Sequence, residues 1–134
     1  MTDDLTISAV AQRAGVRPSA IRYYENVGLL PIPRRVRGRR RYGPDVLPRL
    51  ALIAVAQRMG FTIAEIGTLV HGFSPDTPAS ARWQALAARK LPEVEALIAR
   101  AQVMKTLLEE ALQCGCLSLD ACARALQDSA RPGM

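Results

Sequence analysis

The chain of 134 residues is long enough for about one domain with a modest core, and it carries a formal net charge of +6. The excess is confined: residues 1–60 hold eleven Arg, no Lys and four acids (+7), while residues 61–134 hold seven bases and eight acids (−1). The start MTDDLT is acidic and lacks the apolar core of a signal peptide, no apolar run nears the roughly eighteen residues of a bilayer span, and with the cytoplasmic address this predicts, three cysteines clustered late are expected to be a ligand set or redox switch rather than structural disulfides.

In chain order, Thr6 is placed to cap a first helix with an apolar stripe of Ile7, Val10, Ala11 and Ala14, and Gly15 to end it in a left-handed conformation. Pro18 suits the first turn of a second helix and Gly28 its exit. Pro31–Tyr42 predicts a short two-stranded wing turning near Gly38. A third helix is expected from Pro44–Val46 to Gly60, with Gly43 or Asp45 at its cap and Pro48 tolerated in its first turn. Thr62 and Glu65 form a capping box for a fourth helix reaching about His71, whose single histidine reads as a surface or capping residue. Gly72–Ser80 predicts a linker, and Trp83–Lys90 a separate turn or short helix ahead of Pro92. From residue 92 to 113 apolar residues recur at Val94, Leu97, Ala101, Met104, Leu108 and Ala111, with gaps of 3, 4, 3, 4 and 3. That is a coiled-coil seam, and a rod of roughly 33 Å is longer than the small head could cover by itself.

The order of these elements is what is needed to lay one helix in a DNA major groove and a basic hairpin across the adjoining phosphates. On the second helix Arg17, Ser19, Arg22, Tyr23 and Tyr24 are the candidate contacts; on the hairpin they are Arg34, Arg39, Arg40, Arg41 and Tyr42, the last also anchoring the base of the wing. An all-Arg basic segment favours bidentate contacts to phosphate and guanine over generic solubility.

The strings AQRAGV, AIRYYENVGLLP, the RRY before a polar helix start, and AQRMGFTIAEI resemble the MerR family of bacterial regulators. RRYGPDVL, the Trp83 region and CGCLSLDAC are similar to its SoxR-type branch. The resemblance implies a mainly α fold: a winged helix-turn-helix head over residues 1–73, a linker and short helix over 74–91, an antiparallel dimerisation helix over 92–113, and an effector loop and tail over 114–134. It implies a homodimer in the bacterial cytoplasm that binds double-stranded promoter DNA and activates transcription by distorting it so that RNA polymerase engages both promoter elements. It also implies that Trp83 lies by the partner subunit's sensor site, as a lid.

Cys114, Cys116 and Cys122 form a C-x-C-x5-C set with Gly115 allowing a tight turn. Clustered thiolates repel unless a cation or oxidation relieves them. Three of them suit a thiophilic ion: mercury or copper(I) in trigonal geometry, or zinc with a fourth donor such as Asp120 or Ser118. The SoxR-type pattern is C-x2-C-x-C-x5-C and holds an iron–sulfur cluster; here Ala111 occupies its first position, so a cluster would need a non-cysteine ligand. Reversible thiol oxidation is a third reading. An architectural DNA-binding module without an effector would need neither seam nor thiols, and a thiol oxidoreductase would want a C-x-x-C at a helix start, which is missing. The expectation is a non-enzymatic regulator.

Overall fold

A computed structural model describes residues 4–130 as six helices and one hairpin. Helix α1 (Ile7–Ala14) starts where the Thr6 hydroxyl accepts from the Ala9 N–H, and it ends at Gly15, whose φ of 69° is the left-handed value a side chain would resist. Helix α2 (Pro18–Asn26) has Pro at its first position and leaves through Gly28. Strands β1 (Arg34–Val36) and β2 (Arg39–Arg41) pair antiparallel, with Val36 opposite Arg39. The two-residue turn Arg37-Gly38 has φ values of 55° and 78°, the twist that matches two right-handed strands. Helix α3 (Val46–Arg58) accepts Pro48 in its first turn, where the missing donor has no intrahelical acceptor to lose. Helix α4 (Ile63–His71) opens on the complete Thr62–Glu65 capping box.

The chain separates into two compact units, Met1–Ala87 and Ala88–Met134. In the first, Val10, Ile21, Leu29, Leu30, Tyr42, Leu50, Ile53, Phe61, Ile66 and Leu69 make a single core around which α1 to α4 pack. Leu86 also belongs to that core, and the Trp83 ring meets Phe61 at 6.2 Å between centroids, so the head recruits the first turns of helix α5.

Helix α5 corrects the expected break. It runs unbroken from Ala79 to Leu112, with Pro92 inside it, so neither a separate 83–90 helix nor a start at residue 92 is found. Proline removes one hydrogen bond and crowds the carbonyl four residues back, a cost of about 3 kcal/mol. The Ala-, Leu-, Arg- and Glu-rich sequence on both sides offsets it with high helix propensity. The expected C-terminal loop and tail also contains a helix: α6 spans Leu119–Ala130, and the Ser118 hydroxyl accepts from the Ala121 N–H at its start. No helix among the described residues is long and apolar enough to cross a membrane.

Candidate nucleic-acid interface and thiol site

Helix α2 turns Ile21 fully inward, which leaves Arg17, Ser19, Arg22 and Tyr23 on the outer face; Tyr23 is 49% exposed. Tyr24 faces the other way, half-buried against the core, with its hydroxyl 3.5 Å from Gln57 Oε1. A cleft of about 640 Å³ separates α2 from the hairpin, lined by Ser19, Arg22 and Tyr23 on one side and by Ile32, Arg35 and Arg40 on the other. Arg22 also borders a second hollow with Arg39 and Arg40. Arg34 and Arg39 are exposed, Arg40 and Arg41 half-buried, and Arg34 makes an ion pair with Asp4.

The hairpin is held to α2 by one buried carboxylate. Glu25 Oε1 accepts from the Tyr42 hydroxyl at 2.7 Å, and Glu25 Oε2 lies 3.4 Å from Arg40 Nε. Oε2 has no hydrogen bond of good geometry, so the guanidinium compensates its burial by charge alone. Burial, and then the hydrogen bond and negative charge of Glu25, push the Tyr42 hydroxyl far above its ordinary value and keep it a donor. The Tyr42 backbone bridges to Leu5 in both directions, at 2.7 and 2.9 Å. Tyr42 therefore corrects one expectation. At 3% exposure it sits in the core and holds the wing in place, which leaves it almost no surface to offer DNA.

Sequence reasoning passed over Glu25, although it is the only acid between Asp4 and Asp45 in a segment dense with arginine, and that isolation was a usable signal. It also passed over Arg82, which gave none. The Arg82 guanidinium donates to the carbonyls of Leu69, Val70, Ser74 and Thr77 at 3.1 to 3.3 Å and lies over the Phe73 ring. It thereby satisfies the carboxyl end of α4 and ties it to the first turn of α5. His71 Nε2 donates to the Gly28 carbonyl at 2.7 Å, which makes it a strut between α4 and the exit of α2.

The second unit holds the thiols. Cys114 leaves the last turn of α5, Cys116 follows Gly115, and Cys122 sits in the first turn of α6. All three sulfurs lie within 4.8 Å of one another, and Cys114 Sγ is 2.8 Å from Cys122 Sγ. The Cys116 N–H donates to Cys114 Sγ at 3.3 Å. Contact with Cys122, then with Cys116, lowers the Cys114 thiol below its usual range, while the same contact pushes Cys122 up to about 12.

An ion about 2.3 Å from each sulfur needs sulfurs roughly 4 Å apart, so the 2.8 Å contact would have to open by about 1.2 Å to admit one. Among the described residues the donor group is these three cysteines alone; Asp120 is not part of it, and Ser118 is spent on capping α6. A two-iron cluster requires four outer ligands. Ala111 offers none, so the donor set fits a single ion better than a cluster.

Val94 is half-buried, and Leu97, Met104 and Leu108 of the seam are 54 to 64% exposed, as are Leu91 and Ile98 beside them. Ala101 and Ala111 share that open face.

Comparison with known proteins agrees with this architecture. Residues 5–72 match the MerR HTH family of regulatory proteins, and residues 47–111 match the MerR DNA-binding family. An HTH-type transcriptional activator SoxR homolog from Chromobacterium violaceum is 34% identical over 119 residues, covering 88% of this chain and 80% of that protein. The mercuric resistance operon regulatory protein of Shigella flexneri is 36% identical over 115 residues, covering 85% and 78%. Among solved structures, an EcmrR–DNA complex in EcmrR-RPo superposes with a TM-score of 0.67 at 25% identity, covering 81% of this chain and 38% of that one.

Proposed function

The chain belongs to the MerR family of helix-turn-helix regulatory proteins, a family of DNA-binding transcription regulators and not of enzymes, and we propose that it is a homodimeric promoter activator triggered by a thiophilic metal ion at Cys114, Cys116 and Cys122. The convergence of three sulfurs within 4.8 Å is the observation that carries this reading. A mercuric-resistance regulator among the relatives supports the ion class.

In this reading α2 enters a major groove with Arg22 and Tyr23, helped by Arg17 and Ser19, while Arg34, Arg39, Arg40 and Arg41 clamp the flanking phosphates. Tyr24, tied to the core, contacts DNA at most through the edge of its ring. The open faces of two α5 helices close on each other along Val94, Leu97, Ala101, Met104, Leu108 and Ala111, which sets the spacing of two half-sites. Trp83 of one subunit closes the sensor loop of the other. Tying Cys114, at the exit of α5, to Cys122, in α6, fixes the loop between them. The two dimer states then differ by the several kcal/mol needed to bend and untwist the promoter, so that RNA polymerase engages both of its elements. The protein would act where its promoter is, in the bacterial cytoplasm.

The test is transcription in vitro from the cognate promoter, with and without added ion. Replacing any one of the three cysteines by Ser should abolish induction and change operator affinity by less than about twofold, because the head is a separate compact unit. Wild-type induction in all three variants would sink the assignment.

A further inference from the structure

We propose that the Cys114–Cys116–Cys122 site is built for a trivalent pnictogen, taken up as its neutral hydroxide: arsenous acid or the antimony equivalent. The proposal rests on the reading of this loop as a thiophilic-ion site and names the ion class within it.

The number of donors comes first. A trivalent arsenic or antimony centre binds three sulfurs on one side and keeps a lone pair on the other, so three thiolates complete it. Zinc, by contrast, is almost always four-coordinate in protein sites. The three sulfurs here lie within 4.8 Å of one another, and no further His, Cys, Asp or Glu joins them among the described residues.

Next is the direction of approach. All the donors come from one nine-residue stretch, and Cys114 and Cys116 are exposed. The flanking Leu112, Leu117 and Leu119 are 87 to 103% exposed and offer no donor atom. Thiols open to solvent leave room for a lone pair, which seeks no ligand.

Charge points the same way. Three thiolates around a trivalent centre are neutral, whereas a divalent ion leaves one negative charge and copper(I) leaves two. Between residues 109 and 128, Glu109, Glu110, Asp120 and Asp128 face only Arg124 as a cation, so the segment has no positive excess to hold residual negative charge.

The binding step balances without a redox partner. Three As–S bonds form, three As–OH bonds break, and each departing hydroxyl leaves with a thiol proton as water; arsenic stays trivalent throughout.

The experiment titrates the reduced full-length protein with arsenite, with zinc and mercury(II) in parallel. Remaining thiols are counted with a chromogenic disulfide reagent, and sulfur-to-arsenic absorption is followed in the near ultraviolet. One equivalent of arsenite per chain should protect all three thiols and displace equimolar zinc. Cys116→Ser should weaken arsenite binding by about 10²-fold, since one arm of a three-armed chelate is lost. Protection of only two thiols would overturn the proposal. So would zinc or mercury protecting three thiols where arsenite does not, a result that leaves the broader thiophilic-ion reading standing. If no ion protects any thiol, both fall together.

Discussion

Among the described residues, every buried apolar side chain, from Val10 to Leu86, belongs to the head, while the unit that begins at Ala88 buries none fully. The head is also cross-braced by polar contacts: Glu25 to Tyr42 and Arg40, His71 to Gly28, and Arg82 to four carbonyls. The C-terminal unit instead shows an apolar face along α5 and three sulfurs in mutual contact. One region has satisfied its chemistry internally and needs only a nucleic acid. The other keeps apolar surface and thiols exposed, which the proposed second subunit and ion would cover. In the proposed reading, that division of labour lets the head hold its DNA-reading shape constant while the thiol loop changes state.

The largest effect is expected where the second unit is most incomplete. Leu97→Asp with Leu108→Asp places carboxylates in the proposed seam, and burying them unpaired costs several kcal/mol. The double variant should sediment as a monomer and lose specific operator binding. If it remains a dimer, the open face of α5 is not the contact between subunits, and the contrast drawn above loses one of its sides.

A smaller effect is expected inside the head. Tyr42→Phe removes one hydrogen bond to a buried carboxylate and leaves Glu25 with Arg40 alone, at a cost of about 1 to 3 kcal/mol. Thermal melts of the full chain should show this loss below pH 10. It should shrink progressively at higher pH, because the wild-type hydroxyl, whose pKa is raised on folding, contributes its full stability only while the unfolded tyrosine also keeps its proton and loses it as pH climbs towards the folded value. An unchanged melting temperature would mean that the hairpin stays on α2 without this lock.

The smallest effect concerns a single exposed contact. Arg22→Ala should weaken operator binding by about tenfold and lower the slope of log K against log salt by about one. An unaltered slope would remove Arg22 from the phosphate contacts, although its position between two hollows of the basic face favours it.

Much of the head was readable in the chain because its signals are local. Thr6, Gly15, Pro18, Gly38 and the Thr62–Glu65 pair each act within a few residues of themselves, and each does in the structure what its type predicts. Tyr42 was read only halfway: the anchoring role was visible, but its burial depends on Glu25, seventeen residues earlier. The break expected at Pro92 failed because a local penalty of one residue was set against the propensity of a 34-residue helix. Helix α6 was not expected, because its period is short and interrupted by a thiol, although Ser118 followed by Leu119, Cys122 and Leu126 carries a helical spacing.

By itself, then, the sequence determined the order of the elements, the basic character of the first sixty residues, the apolar period of α5 and the presence of three late thiols. These depend on composition and short-range geometry, which a linear chain expresses directly. Only the tertiary structure decided that Tyr23 rather than Tyr24 faces outward, that Arg82 closes the end of α4, and that three sulfurs spread over nine residues meet within 4.8 Å. Each of those outcomes depends on which face of a helix the core claims or on how two helix ends approach, and no window of sequence contains both partners with their orientation.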